Sequence, residues 1–330
     1  MFEGIVGHNN TKHHVDIAIK AAKKRNEATP HMLFSGVAGC GKTTMALETA
    51  RAAEVDIIPV SPDEFSDRES TLRILERLNH DSYDSFGNRT GKIRPSILFI
   101  DEIHRTPGKG QEILGIAMEK LMLDTGKPNR FYWIPHFTII GATTDDGRLT
   151  KPFREKFKLR FLFETYSLVE IEAIIVLYAA SLGIVLTKKA WRTIALRSRG
   201  VPRIAKAYLE SIRDYAVHVD SHVITSGIVL STFKTLGIDS MGLTKPEINI
   251  LKALYKANSP VGVDNLAIIS NESLNNIKNT IEPYLIQEGL IIRTGKGRIL
   301  TDLGRKHLEE DGYLGEKRNK SEIPADYERK

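Results

Sequence analysis

The sequence predicts an α/β domain with a parallel sheet, followed by an all-helical segment and then a few short helices closed by a two-stranded ribbon. Three observations carry that reading. From about residue 15 to 160, short apolar runs alternate with polar turns and amphipathic stretches. From about 165 to 236 the apolar spacing becomes helical, as in Val169, Ile171, Leu177 and Ala180, then Trp191 and Ile194, then Ile204, Tyr208, Ile212 and Tyr215. From about 240 to 308 the pattern ends in two β-prone runs, 290–293 and 298–301, joined by Thr294-Gly295-Lys296-Gly297. The expected strands of the first segment are 31–35, 55–60, 96–100 and 137–140. Beyond Leu308 the chain is polar and charge-mixed, with Asp311, Gly312 and Pro324 breaking any period, and is expected to be a loose tail. The expected division is therefore 1–163, 164–237, 238–308 and 309–330. A total of 330 residues suits more than one domain, because single cores stop growing near about 250 residues.

Composition excludes several classes. With 41% hydrophobic and 27% charged residues the chain is an ordinary globular protein rather than a disordered one. No apolar run approaches the roughly 20 residues a bilayer crossing needs. Residues 1–10 carry no basic segment followed by an apolar stretch, so a cytoplasmic protein without membrane attachment is expected. Cys40 is the single cysteine, which rules out a disulfide within the chain and a zinc cluster of paired cysteines. The net charge of +6 is concentrated in residues 156–236, where 12 basic residues face 6 acidic ones.

Gly36-Val37-Ala38-Gly39-Cys40-Gly41-Lys42-Thr43 fits G-x-x-x-x-G-K-[ST], between the apolar Met32-Leu33-Phe34 and a helical run from Thr44. Glycines let the backbone curl around a polyanion and aim successive N–H groups at it, and the helix N-terminus adds partial positive charge. Lys42 is expected to reach the β- and γ-phosphates and Thr43 to ligate Mg²⁺. Cys40 reads as a small loop filler rather than a nucleophile.

The strand 96–100 delivers Asp101 and Glu102 at its C-terminal end, where open α/β sheets bind ligands. Two acids there also occur as a simple helix-start feature. Behind a phosphate loop they read as a metal-holding Asp101 and a Glu102 that activates water. Thr143 and Thr144 follow the strand 137–140 and Gly141-Ala142, so a third strand ends in polar groups on that rim. A hydroxyl there either holds the attacking water, senses the γ-phosphate or belongs to a plain turn. Pro202 suits the first turn of a helix that carries Arg203, with Arg199 and Lys206 nearby. Cations oppose the helix dipole at that end. They point to an external anion, a nucleotide phosphate first, or to crowded surface charge. Helices followed by the basic ribbon suggest a winged helix.

Together these motifs resemble the AAA+ ATPases and, more narrowly, the RuvB family. The resemblance runs almost end to end, through Ala21-Ala22-Lys23-Lys24-Arg25, the phosphate loop, Leu98-Phe99-Ile100-Asp101-Glu102-Ile103-His104-Arg105, Gly141-Ala142-Thr143-Thr144, Pro202-Arg203-Ile204-Ala205, Pro260-Val261-Gly262 and Glu282-Pro283-Tyr284-Leu285-Ile286-Gln287. It implies an AAA+ P-loop core, a helical lid and a C-terminal winged helix. It further implies that Gly36, Gly39, Cys40, Gly41, Lys42, Thr43 and Thr44 bind ATP, that Thr43 and Asp101 hold Mg²⁺, and that Asp101 and Glu102 are the Walker B acids. Thr144 corresponds to sensor 1 and Arg203, beside Pro202, to sensor 2. Tyr166 matches a residue that packs on adenine, with Ile5 and Val6 nearby. Arg293, Lys296 and Arg298 would carry the wing's contact with double-stranded DNA, a Holliday junction in this family, by salt-sensitive phosphate binding. A homo-oligomer, a hexameric ring, is implied as well.

Four departures mark the chain. Where the family shows R-x-R-F, this sequence has Arg154-Glu155-Lys156-Phe157, so lysine takes the position of the finger that reaches a neighbour's nucleotide. It keeps the charge and loses the planar fork, so Lys156 acts more weakly or Arg154 or Arg160 substitutes. The stretch between Met118 and Phe137, where the family has a hairpin for its partner RuvA, is several residues shorter. Residues 79–94 read as an insertion, and the N-terminus begins close to the core. Two other classes fit the motifs: an AAA+ clamp-loader or replication-initiator ATPase, and a nucleotide-gated DNA-binding regulator with little turnover.

Overall fold

A computed structural model describes residues 2, 4–78, 95–124 and 131–314. The expected insertion at 79–94 lies outside them. Two units divide the described chain by packing: Met1–Gly183 with Ser198–Glu210, and Ile184–Arg197 with Ser211–Lys330.

The first unit starts with α1 (Asn9–Arg25), which buries Thr11, Val15, Ile19 and Ala22 along one stripe. There follow β1 (Met32–Gly36), α2 (Lys42–Ala53), β2 (Ile57–Val60), α3 (Arg68–Leu75), β3 (Ser96–Ile100) and α4 (Gly108–Lys120). A short antiparallel pair, β4 (Met122–Asp124) and β5 (Phe131–Trp133), precedes β6 (Phe137–Thr143), α5 (Lys151–Glu155), β7 (Leu159–Phe163) and α6 (Leu168–Ser181). Five strands form one parallel sheet in the order β2-β3-β6-β1-β7. The parallel-sheet core expected from the alternating pattern is present, and four of its strands are the four expected from the sequence. The fifth, β7, is an edge strand whose first four residues, Leu-Arg-Phe-Leu, alternate half-buried and exposed before the buried Phe163. Strands β3 and β6 are buried along their whole length, as continuous apolar runs between helices should be. Leu33, Leu98, Ile100 and Ile139 pack there with Phe65, Leu75, Leu114, Phe153 and Phe157.

The second unit contains β8 (Val185–Leu186) and α7 (Lys188–Arg197). The long α8 (Pro202–His218) passes from the first unit into the second. Then come β9 (Val223–Ile224), α9 (Ser226–Leu236), α10 (Lys245–Ala257), α11 (Val263–Ser270), α12 (Leu274–Asn276), α13 (Glu282–Gln287), β10 (Ile291–Thr294), β11 (Gly297–Leu300) and α14 (Asp302–Glu310). A π-turn, Ile277–Ile281, joins α12 to α13 just before Pro283, whose missing N–H removes one helical bond. Antiparallel β10 and β11 form the ribbon, and Val261 adds a third rung through paired bonds with Arg298 of 3.0 and 2.8 Å. Leu251, Leu254, Leu266, Ile277, Leu285 and Leu308 fill the centre. This is the winged helix the ribbon suggested. The expected loose tail does not begin at 309: Tyr313 and Leu314 pack against this core, and Lys252 lies 4.7 Å over the Tyr313 ring. Two apolar side chains outweigh the polar composition around them. No helix among the described residues is long and apolar enough to cross a membrane.

Two buried polar pairs organise this unit. Arg298, 6% exposed, is bonded by its guanidinium to both Glu282 oxygens, Nε to Oε1 at 3.1 Å and Nη2 to Oε2 at 2.7 Å. His307 lies with Nε2 2.8 Å from Asp239 Oδ2, and that hydrogen bond, ahead of an opposing desolvation, holds its pKa above the ordinary 6.5. Asp239 Oδ1 accepts the Met241 and Leu243 N–H groups, while its carbonyl accepts Arg197 Nε.

Arg298→Ala should strand the buried Glu282 carboxylate and cost about 3–5 kcal/mol, against less than about 0.5 kcal/mol for the exposed Arg293→Ala. A lowered denaturation midpoint, with faster amide exchange in β10 and β11, would check this.

Candidate functional site: a phosphate loop facing two carboxylates

Register fixes the site. Ser35 of β1 stands beside Thr143 of β6, and Ile100 of β3 beside Gly141. The loop leaving β1, the acids leaving β3 and the threonines ending β6 therefore emerge on one rim, at the C-terminal ends of parallel strands.

The loop 36–41 is held open by backbone geometry. Gly36 has φ +128, and a Cβ there would lie 2.1 Å from the Phe163 carbonyl oxygen. Gly39 has φ +81, and its Cβ would come 2.8 Å from that of Arg203, so the loop and the start of α8 touch. Lys42 is buried, and its ammonium donates to the Gly36 and Val37 carbonyls at 2.7 and 2.9 Å, bridging the loop. Burial lowers its pKa, while the Glu102 and Asp101 charges work in the opposite direction. The N–H groups of Lys42, Thr43 and Thr44 open α2 and have no acceptor within the helix. Cys40 is wholly buried with its thiol pKa raised by desolvation, so it has no thiolate character to offer a substrate. Its carbonyl is the useful group, accepting the Tyr166 hydroxyl at 3.3 Å and facing His8 Nε2 at 3.1 Å.

Across the rim, Asp101 Oδ1 accepts the Glu102 N–H at 3.0 Å. Glu102 sits in the left-handed region, φ 49, which turns its carboxylate towards β6. There Oε2 accepts the Thr144 N–H at 3.1 Å and the Thr144 hydroxyl at 3.0 Å. His104 Nδ1 lies 3.2 Å from the same oxygen and 2.8 Å from Thr143 Oγ1. Thr144 thus holds Glu102 through two bonds, His104 stands against the same carboxylate oxygen, and Thr143 faces His104 rather than Glu102. The sequence alone assigns His104 no role; its only local signal is a histidine two residues after Glu102.

Two adjoining cavities lie over these groups. One of about 410 Å³ is lined by Ala38, Gly39, Lys42, Thr43, Asp101, Glu102 and Arg203 among others. The second, of about 230 Å³, is more apolar and is lined by Ile5, Val6, Tyr166, Ile174 and Leu177. Gly41, Thr44, Tyr178, Pro202 and Lys206 border both. A cavity where Lys42, Arg203 and Lys206 face Asp101, Glu102 and Glu210, with helix-start N–H groups on its wall, fits a polyphosphate that carries a divalent cation. Thr43 and Asp101 supply the hard oxygen donors that suit Mg²⁺, and the apolar cavity suits a flat base.

Not every expected residue joins this site. Lys156 caps α5 and donates to Glu119 Oε2 of α4 at 2.6 Å, away from both cavities. Arg154 is half-buried on α5 and Arg160 exposed on β7. Arg293 and Lys296 are exposed on the ribbon, but Arg298 is not: Glu282 holds its guanidinium inside. Arg298 therefore does not present its guanidinium to solvent as the expected DNA contact would need; its burial and its pairing with Glu282, rather than a lack of N–H donors, set it apart from Arg293 and Lys296.

This parallel-sheet core, with its phosphate loop, paired acids, sensor-like threonine and lid arginine, defines an AAA+ P-loop ATPase. Successive family models cover the chain: the Holliday junction DNA helicase RuvB P-loop domain at residues 1–162, the RuvB AAA lid domain at 166–239 and the RuvB C-terminal winged helix domain at 240–309. The chain belongs to the RuvB family. It is 36% identical over 312 residues to the Holliday junction branch migration complex subunit RuvB of a Wolbachia strain (wRi), covering 93% of this chain and 92% of that one. Identity to the subunit of the same name from Borreliella burgdorferi is 39% over 324 residues, covering 94% and 89%. The Thermotoga maritima RuvB Holliday junction branch migration motor superposes with a TM-score of 0.78 at 33% identity, covering 93% of this chain and 96% of that structure.

Removing the Thr144 hydroxyl in Thr144→Val leaves Glu102 with one backbone donor and His104. Hydrolysis should fall about 10²-fold while nucleotide affinity stays within about twofold, measured by phosphate release and by titration.

Proposed function

We propose that this chain is an ATP-driven DNA motor that migrates Holliday junction branches. The observation that carries the reading is the convergence of Lys42, Thr43, Asp101, Glu102, Thr144 and Arg203 on one rim, in a chain of RuvB-type domains. Ile5, Val6 and Tyr166 receive the base. Gly36, Gly39, Cys40, Gly41 and Thr44 shape the loop, whose N–H groups meet the phosphates, and Lys42 crosses to the terminal ones. Thr43 and Asp101 hold Mg²⁺. ATP with Mg²⁺ supplies a phosphoanhydride whose cleavage is strongly favourable. Glu102 accepts a proton from water, with Thr144 and His104 setting its direction. Arg203, with Pro202 fixing the helix start, answers the phosphate charge from α8.

The exposed Arg293 and Lys296 suit sequence-independent contact with duplex phosphates. The chain works as a homo-oligomeric ring, a hexamer in this reading, with Lys156 as the cation offered to a neighbour's nucleotide. The stretch expected to meet a RuvA-like loader is shorter than in the family, which speaks against that partner, although Phe131 and Trp133 are exposed on β5. One observation favours a nucleotide-gated regulator instead: Lys156 lacks a guanidinium fork and is already paired with Glu119.

In Lys42→Ala, DNA-stimulated phosphate release and movement of a four-way junction should both vanish; unchanged turnover would remove the site assignment. Lys156→Ala should slow hydrolysis at least about tenfold with nucleotide affinity within about twofold. Equal loss of both would show that Lys156 is no finger.

A further inference from the structure

Three side chains at the seam of the two cavities have no part in the mechanism above. Lys206 is one turn beyond Arg203 on α8 and exposed. Tyr178 of α6 and Glu210, one turn further along α8, complete the group. Lysine and glutamate four residues apart on a helix are placed to pair. Here they do not. The Tyr178 hydroxyl donates a short hydrogen bond to Glu210 Oε1, and Lys206 Nζ rests 4.7 Å from the centre of the Tyr178 ring. The ring thus diverts the carboxylate and carries the ammonium on its face, leaving a flexible cation aimed along the cavity wall.

Position then decides what that cation meets. Lys206 and Tyr178 line the base pocket together with Tyr166 and Ile5, and they also line the phosphate cavity together with Lys42 and Arg203. In a nucleotide whose base fills the first and whose terminal phosphates reach Lys42, the seam is crossed by the ribose and the phosphate attached to it. A ribose offers no anion to an ammonium; the α-phosphate does.

We propose that Lys206 is a second phosphate-binding cation of this site, donating its ammonium to the α-phosphate of the bound nucleotide, with Tyr178 as its platform. The inference rests on the nucleotide reading above. Because the α-phosphate is common to ADP and ATP, Lys206 contributes equally to both, unlike a residue that answers the γ-phosphate. Tyr178 is a positioning residue: its hydroxyl keeps Glu210 from neutralising Lys206.

The test is calorimetric titration of the full chain with ADP and with a non-hydrolysable ATP analogue, each with Mg²⁺. In Lys206→Met, which keeps the stem and removes the charge, both affinities should fall by the same factor of about ten. Lys206→Arg should restore most of the loss. Tyr178→Phe should weaken both nucleotides several-fold, and the loss should disappear in the Lys206→Met background, as coupled residues require. Unchanged ADP affinity in Lys206→Met, or a loss confined to the ATP analogue, would overturn the proposal while leaving the nucleotide site intact. Failure of the unaltered chain to bind either nucleotide would overturn the nucleotide reading itself. The melting temperature without nucleotide should be the same for all variants, so a fall there with parallel loss of binding would mark a folding defect and sink the assignment.

Discussion

The register of three parallel strands is the constraint on which the site depends. Side chains cannot choose where they emerge from a sheet; hydrogen bonding between neighbours does that for them. With Ser35 opposite Thr143 and Ile100 opposite Gly141, the phosphate loop, the acids and the threonines leave the sheet at one height. A slip of one residue in β3 would send Asp101 and Glu102 to opposite faces from those they now occupy. The buried apolar faces of β3 and β6 make such a slip expensive, so the same packing that stabilises the core also aims the chemistry. Lys42 completes the arrangement by drawing in the Gly36 and Val37 carbonyls, while the Val37 N–H is held by the Phe163 carbonyl at 3.2 Å.

Legibility in the sequence followed how local each cause is. The phosphate loop needs glycines at fixed spacing in eight consecutive residues, and those are visible to anyone reading the chain. The strand carrying Asp101 announces itself as a continuous apolar run ending in acids. By contrast β7 is an edge strand with Arg160 as its second residue, and nothing local separates it from the helical stretch before it. The hold on Glu102 joins residues 42 apart, through a left-handed backbone at Glu102 that the sequence does not declare. Tyr313 and Leu314 look like part of a polar tail until the core they cover is known.

Arg298 gives the sharpest form of that lesson. Three cations in a ribbon look alike on paper, and Arg293 and Arg298 are even register partners on one face; what separates them is that Val261 pairs with Arg298 on its other side and Glu282 takes its guanidinium. Within β11, Arg298 turns inward, where Glu282 at the head of α13 receives it. The Glu282 to Gln287 segment that carried so much of the family resemblance is thus largely architectural. Glu282 anchors the wing, Leu285 fills the core, and the Tyr284 hydroxyl donates to the Met241 carbonyl at 3.3 Å. A motif can be specific to a family because it holds the fold, without touching a ligand.

Lys156 poses the opposite problem, a residue whose neighbours say little about its use. Its bond to Glu119 is short, but Glu119 is 61% exposed and the side chain of Lys156 is about one third exposed. Ion pairs this open to water contribute about 0–1 kcal/mol. Such a contact parks the lysine without fixing it. A polyphosphate carries several negative charges, and in competition with one solvated carboxylate it presents the stronger field to a compact ammonium. The replacement of a planar fork by a point charge therefore removes directional preference more than it removes attraction. In the ring proposed above, such an ammonium would approach a neighbour's nucleotide from many angles and be held in none of them.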